Sequence, residues 1–493
     1  MDELRRIVSF IDKYAATSNP LLSLSDDSTL ETKLFSLLKQ GSISSDVEAA
    51  QELYGTTKIT SSYRMLKSRF RKKLFNQLHF LKLTQTDLAA FEIANYECKV
   101  LMSQAAGLRV MSEYNLSIKL LDQALQIAES SDINRLKIHV LEDKQMMLLD
   151  MNDDKLYVEC EALLQSYYTI QEYERQALGL YSRAIMAIRG PVTERANIIS
   201  RLSSTIEHFK LLVEKSTSSY VFRYYHILRI IYLEQTGQYA EIVVAVEQAE
   251  KLIQTKRLNE KWFNLKYNKF IQVYALLQSR QYDYGLKVAG ENLALFRKYE
   301  FNWFSYLENY VLLALHSKKH LQVEQLLQEV TQNRQFEKLP ESSRERWELY
   351  RRYFLLLHRF SADAEEVSEP PMVIKELTVL PKDKAGFNLA LLVLDVFEGL
   401  SKSDSDELEL YAERVRKYTS KYLKGEKALR SRLFMRMLQI ALQDQNYQKI
   451  KYRADALLNQ LENTPLPGDA FTEVEIVPYE HLWELVLHLF KQK

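Results

Sequence analysis

Gly285 to Gly290 reads Gly-Leu-Lys-Val-Ala-Gly, a two-glycine spacing with which loops cradle phosphate through backbone N–H groups. Glu291 and Asn292 follow, where that chemistry needs a lysine and a hydroxyl. Phosphate binding is therefore not expected, and the segment reads as part of a helix. His316 and His320 stand four apart on one expected helix, the spacing that presents two imidazoles to zinc. Glu does not follow the first histidine, and the ammonium groups of Lys318 and Lys319 would repel a cation. Two surface histidines are the expectation. His79, His139, His226 and His358 are scattered. Cys98 and Cys160 are too few for a disulfide framework or a cysteine-based zinc site. Each is expected as a small buried residue, in a reducing compartment. Asp404-Ser405-Asp406-Glu407 lacks the central glycine of a calcium loop and reads as the acidic start of a helix. No catalytic set, metal or cofactor is expected.

Charge is more informative. The net formal charge is +1, which excludes a globally basic nucleic-acid binder but not a local basic site. From Leu53 to Thr86 there is no acid, but Lys58, Arg64, Lys67, Arg69, Arg71, Lys72, Lys73 and Lys82 are present. Arg64, Lys67 and Arg71 share one helical face with Lys72 beside it, opposite an apolar stripe of Leu66, Phe70, Leu74, Leu78 and Leu81. Such a face can contact phosphates or an acidic protein. It can equally be a solvated face paired with acids of neighbouring elements. A second basic region, Arg414 to Arg436, has Glu426 as its sole acid and leaves the same choice open.

The elements that must position these residues are helices. Only 12 Gly and 9 Pro occur in 493 residues, while 46% are hydrophobic, so an almost all-α chain with a continuous core is expected. Apolar stripes at helical spacing start at Tyr114, Tyr157, Ala196, Tyr239, Tyr282, His320, Leu408 and Tyr447, at intervals near forty residues with one double interval. Turns are expected at Asn152-Asp153-Asp154, Gly190-Pro191, Thr236-Gly237-Gln238, Ser279-Arg280-Gln281 and Ser317-Lys318-Lys319. A fixed period of this size marks stacked helical hairpins.

The best copy, Gly237-Gln238-Tyr239 followed by Ile242, Val246 and Ala249, resembles the tetratricopeptide repeat. Gly237 matches that family's turn glycine, Tyr239 its aromatic and Ala249 a small residue of the second helix. Tyr282 with Gly285 and Ala289, and Tyr447 with Ala454, repeat the pattern. The family's period is 34 residues, shorter than here, and its proline near the repeat end is missing. The resemblance covers residues 90–460 and implies an α-solenoid, a right-handed superhelix whose concave face holds a peptide or protein.

The organisation expected is an N-terminal helix and linker at 1–30 and a small basic, helix-turn-helix-like unit at 31–85. Repeats follow at 86–360 and 388–462, separated by an irregular insertion at 361–387. An extended segment and capping helix close the chain at 463–493. In the small unit, Gly41 and Gly55 should end helices, and Ser44-Ser45-Asp46 and Thr60-Ser61-Ser62 should begin them. The 30 Tyr and 21 Phe fill gaps between packed helices, or line a groove. No stretch is long and apolar enough to cross a membrane, and no secretion signal opens the chain, so a cytoplasmic protein is expected.

The function expected is a non-enzymatic scaffold or adaptor that binds a protein or peptide through a groove. Arg223, His226, Arg229, Asn264 and Asn268 are its candidate contacts. The alternative is a regulator that binds nucleic acid through residues 53–86 and senses a partner with its repeats, using Arg64, Lys67, Arg71 and Lys72. The oligomeric state stays open.

Overall fold

A computed structural model describes residues 2–14, 29–78, 88–189, 195–359, 386–402, 405–425, 428–444, 446–464 and 475–492. The linker at 15–28, His79, Leu81, Lys82, the turn at Gly190-Pro191, the insertion at 361–385 and the segment 465–474 lie outside them. Among the described residues there are twenty-one α-helices, three short 3-10 helices and no strand. The stripe starts are helix starts: Tyr114, Tyr239, Tyr282, His320 and Tyr447 each open a helix. Tyr157, Ala196 and Leu408 lie in the first turn of theirs. The chain divides into two compact units.

The first unit comprises Met1–Arg175, Ser218–Tyr220 and Asn259–Trp262. It opens with α1 (Asp2–Tyr14), α2 (Leu30–Gln40), α3 (Asp46–Tyr54) and α4 (Ser61–Gln77). Thr29, Ser45 and Thr60 cap the last three, each side chain accepting a backbone N–H. Each such cap is worth about 1 kcal/mol. Gly41 and Gly55 end α2 and α3 in the left-handed conformation. Leu66, Phe70 and Leu74 of α4 are buried. Phe70 and Leu74 share a core with Leu34, Leu38 and Ala49, and Leu4 and Val8 of α1 complete it. Full burial of such side chains supplies about 2 kcal/mol apiece. The small unit thus takes in the helix that the sequence reading set apart in 1–30.

The same unit continues through α5 (Ala90–Val110), α6 (Tyr114–Ser130), α7 (Asn134–Asp150) and the start of α8 (Asp154–Ile188). Small residues lie at the α5–α6 seam, where Ala94, Cys98 and Ala105 share a core with Leu121, Ala124 and Ala128. Trp262 joins this core. Its indole N–H donates to Ser131 O at 2.8 Å, and its ring stacks on Phe91 with centroids 4.4 Å apart.

The second unit holds the rest. After α9 (Arg195–Lys215) and α10 (Ser219–Gln235) come α11 (Tyr239–Gln254), α12 (Leu265–Gln278), α13 (Tyr282–Asn292), α14 (Phe301–His316), α15 (His320–Thr331) and α16 (Glu341–Arg359). Then follow α17 (Phe387–Lys402), α18 (Ser405–Tyr422), α19 (Leu429–Gln443), α20 (Tyr447–Glu462) and α21 (Tyr479–Gln492). From α11 onward each helix packs on the next, and α12 on α14, α14 on α16 and α19 on α21 pack as well. One apolar core runs from Ile230 to Phe490. None of the described helices is long and apolar enough to cross a membrane.

Seven helix ends share one turn geometry. Ser112, Asp132, Asn152, Gly237, Lys256, Arg280 and Lys318 all have φ between 50° and 69°. At each, the following residue donates its N–H to the carbonyl five positions back: Glu113 to Leu108, Ile133 to Ala128, Asp153 to Leu148, Gln238 to Leu233, Arg257 to Leu252, Gln281 to Leu276 and Lys319 to Ala314. The left-handed residue itself donates three positions back, as Gly237 does to Glu234. This is the Schellman motif, which satisfies the last carbonyls of a helix and reverses the chain at once.

Candidate functional site

The basic helix α4 carries its charge largely within its own unit. Lys67 Nζ meets Asp46 Oδ1 at 2.7 Å, and Tyr63 Oη donates to the same oxygen at 2.7 Å. Burial works against the Asp46 carboxylate, but these two partners hold it below the usual carboxylate range. Arg71 Nη2 meets Glu3 at 2.8 Å, and Lys73 pairs with Glu31. Arg64 and Lys72 are exposed and have no ion pair among the described residues. Of the seven cations of this stretch among the described residues, Lys67, Arg69, Arg71 and Lys73 pair with acids of α1, α2 and α3.

The five residues named for a groove fall into two groups. His226 and Asn268 are buried, and His226 Nε2 lies 2.6 Å from Asn268 Oδ1. Asn268 Nδ2 donates to Asn264 O at 2.8 Å, so Oδ1 is the acceptor and Nε2 carries the proton. Burial pushes the imidazole below its usual value, and Phe222 stacks on it at 5.7 Å. Asn264 caps α12, accepting from Tyr267 N. These three residues tie α10 to α12 from within. Arg223 and Arg229 are half-buried on α10, and Arg229 Nη1 donates to Gln248 Oε1 at 2.9 Å.

The residues with suspect chemistry are structural. Gly285 and Gly290 lie within α13, and a Cβ at Gly285 would sit 2.6 Å from Leu313 and 3.3 Å from Leu276. The phosphate-loop spacing is a seam of small residues that admits α12 and α14. The expectation of two surface histidines on one helix is corrected. His316 ends α14, His320 opens α15, and His316 is buried at 4% exposure. Its Nε2 bonds the backbone carbonyl of Glu475 at 2.8 Å, and burial pushes its pKa down to about 4. Cys98 and Cys160 are buried free thiols, and burial pushes Cys98 up to about 11. Among the described residues no group of three His, Cys, Asp or Glu could hold a metal ion.

A concavity of the second unit lies where α16, α17 and α18 meet. It encloses about 740 Å³. Arg352, Asn388, Leu391, Leu392 and Asp395 line one side, and Arg414, Lys417, Tyr418, Ser420, Lys421 and Tyr422 the other. Gly399 of α17 lets the Tyr411 ring of α18 press against its backbone, which sets how closely the two helices approach. Arg414 lies over that ring at 5.5 Å and pairs with Asp395 at 2.9 Å. Tyr418 and Tyr422 have centroids 5.0 Å apart, and Lys421 Nζ lies 5.2 Å from the Tyr422 ring. The lining residues include four cations and one carboxylate, Asp395; Arg352 also meets the buried Glu348 at 2.9 Å and Lys417 the exposed Glu413 at 2.7 Å.

Compared with models of known protein families, with curated proteins and with solved structures, the chain matches none.

The cleft draws three of its four cations, Arg414, Lys417 and Lys421, from the second basic region, whose charge the sequence shows plainly. Arg352 and the leucines of α17 were missed, because their proximity depends on helix packing across the span 360–385. The sequence does carry one sign: Tyr418 and Tyr422 recur at the spacing of Lys417 and Lys421, which puts rings and cations side by side on one helix. In the first unit the exposed Val110 and Met111 at the α5–α6 turn also went unnoticed. Leu149 and Met151 lie at the α7–α8 turn, which Arg109 and Asp150 join to it at 3.9 Å.

Proposed function

We propose that this chain is a tetratricopeptide-like helical-hairpin array that serves as a non-enzymatic scaffold or adaptor, binding a protein or peptide partner in the cytoplasm. The observation that carries the reading is the recurrence of one turn geometry at seven helix ends. A shared turn geometry that satisfies the end of one helix and leads into the next favours packed helical hairpins. Hairpins that bury their faces against their neighbours form a quasi-one-dimensional stack, and such stacks present extended faces suited to macromolecular partners. The cationic, tyrosine-lined cleft at α16–α18 supports the reading, since aromatic and arginine side chains dominate protein-binding surfaces.

The test is chemical cross-linking of the full-length chain in its native cells, followed by mass spectrometry. A reproducible set of cross-linked proteins, lost when the chain is unfolded beforehand, is the expected result. A folded chain that cross-links to no protein would overturn the proposal.

A further inference from the structure

We infer that the α16–α18 cleft is the docking site for an acidic peptide segment that carries apolar side chains between its carboxylates. This deepens the scaffold reading above and rests on it.

Arg352, Arg414, Lys417 and Lys421 line a concavity of about 740 Å³, within the range that holds a ligand, and outnumber its one lining carboxylate, Asp395. Charge of that sign in a concave, low-dielectric setting raises the local concentration of anionic ligands. Arg352 is held by the buried Glu348 at 2.9 Å, but the partners of the α18 cations are replaceable. Arg414–Asp395 and Lys417–Glu413 are exposed ion pairs, with side chains roughly half accessible to solvent. Exposed pairs contribute about 0–1 kcal/mol, so an incoming carboxylate can exchange with them at little cost. Lys421 has no carboxylate among its described contacts and lies over Tyr422.

Charge alone does not choose among acidic ligands. The floor does. Leu391 and Leu392 of α17 and the Tyr418 and Tyr422 rings give the cleft an apolar surface between its cations. A polyanion without apolar groups, such as an oligophosphate, leaves that floor wet. A peptide that alternates acids with leucine or phenylalanine covers it and meets the cations at its edges.

The experiment uses the full-length chain and a fluorescein-labelled peptide alternating Glu with Leu, read by fluorescence anisotropy at low and physiological salt. Wild type is expected to bind it about tenfold more tightly than a peptide alternating Glu with Ser, and more weakly as salt rises. Lys417→Glu together with Lys421→Glu is expected to cost at least about tenfold in affinity. Both lysines are solvent-exposed, and circular dichroism would check that the variant stays helical. Tyr422→Ala, which keeps every charge, is expected to abolish the preference for Leu over Ser. The charge-matched control, Lys119→Glu with Lys155→Glu in the other unit, is expected to bind as wild type.

Equal loss in the control, equal binding of the two peptides, or tighter competition by oligothymidylate than by the Glu–Leu peptide would each overturn the inference. Its failure is separable from that of the scaffold reading. If Lys417→Glu with Lys421→Glu keeps the full set of cross-linked proteins while no acidic peptide binds, the cleft inference alone falls. If wild type cross-links to no protein, both fall.

Discussion

The guanidinium of Arg430 lies against the carboxylate of Glu475, forty-five positions later in the chain, with its Nη2 2.9 Å from Glu475 Oε2 and both side chains 1% exposed. The same guanidinium donates to Leu461 O at 2.7 Å and Thr464 O at 2.8 Å, and reaches Glu480 Oε2 at 2.8 Å. One side chain of α19 thus clasps the end of α20, the segment before α21 and the first turn of α21. Arg280 joins the cluster, 3.6 Å from Glu480.

Removing Arg430 should leave the buried Glu475 carboxyl without its main cation, so that burial pushes it further up and it must bear a desolvated charge or take up a proton. Arg430→Met is expected to cost about 3–5 kcal/mol in urea unfolding. Arg430→Met combined with Glu475→Leu removes both charges and should recover most of that loss. A double variant no more stable than the single one would show that the clasp is not a coupled pair.

His316 makes stability sensitive to acid. Its folded pKa is about 4, below the ordinary histidine value, because burial disfavours the imidazolium. Between pH 6.5 and pH 4 the unfolded chain binds a proton that the folded chain refuses, so stability falls as pH falls through that window. The loss approaches about 3 kcal/mol at pH 4. His316→Gln should flatten the slope of unfolding free energy against pH between those values, and an unchanged slope would contradict the assignment.

Glu174 acts in the opposite direction. Burial raises its carboxyl to about 7, although Ser218 Oγ donates to it at 2.6 Å. From pH 4.5 to 7 the unfolded chain releases a proton that the folded chain keeps, so this group lowers stability as pH rises. The full cost is about 3 kcal/mol above pH 7. Glu174→Gln, which stays neutral, should be more stable than wild type at pH 8 and comparable at pH 4.5. Thermal melts at the two pH values measure the difference.

Gly285 sits where α13 meets Leu313 of α14 and Leu276 of α12, both fully buried. Gly285→Val inserts three carbons into that seam and should cost about 2–3 kcal/mol. Gly107 has open space around the position of a Cβ, so Gly107→Ala should be stabilising by up to about 1 kcal/mol through helix propensity. Chemical denaturation of the two variants checks the contrast.

Cys98 is buried, its thiol pushed up to about 11 by burial, with Sγ 3.4 Å from Ala124 O. Both cysteines should react with Ellman's reagent only after denaturation. Rapid reaction of either native thiol would refute their burial.

Much of the helical frame was legible from residue order. Tyr239, Tyr282 and Tyr447 open helices because a large ring at the start of an apolar stripe finds a neighbouring helix to pack on. Gly41, Ser45, Gly55 and Thr60 bound their helices because capping acts within one turn. The turns at Asn152, Arg280 and Lys318 were placed correctly, but their left-handed backbone was not foreseen. Non-glycine residues tolerate that conformation where the Schellman hydrogen bonds compensate for it.

What the sequence by itself determined is the helical state of this chain, its helix starts and its net distribution of charge. All of these depend on residues within a few turns of one another. Only the tertiary structure decided which charges meet. It paired Lys67 with Asp46 and Arg71 with Glu3, drew His226 and Asn268 inside, buried His316 against Glu475, and gathered Arg352 with Lys417 and Lys421 around one cleft. The physical reason is that an isolated charge or imidazole is indifferent to its position along a helix. Its role is set by desolvation and by whichever side chain a packed neighbour brings within about 3 Å.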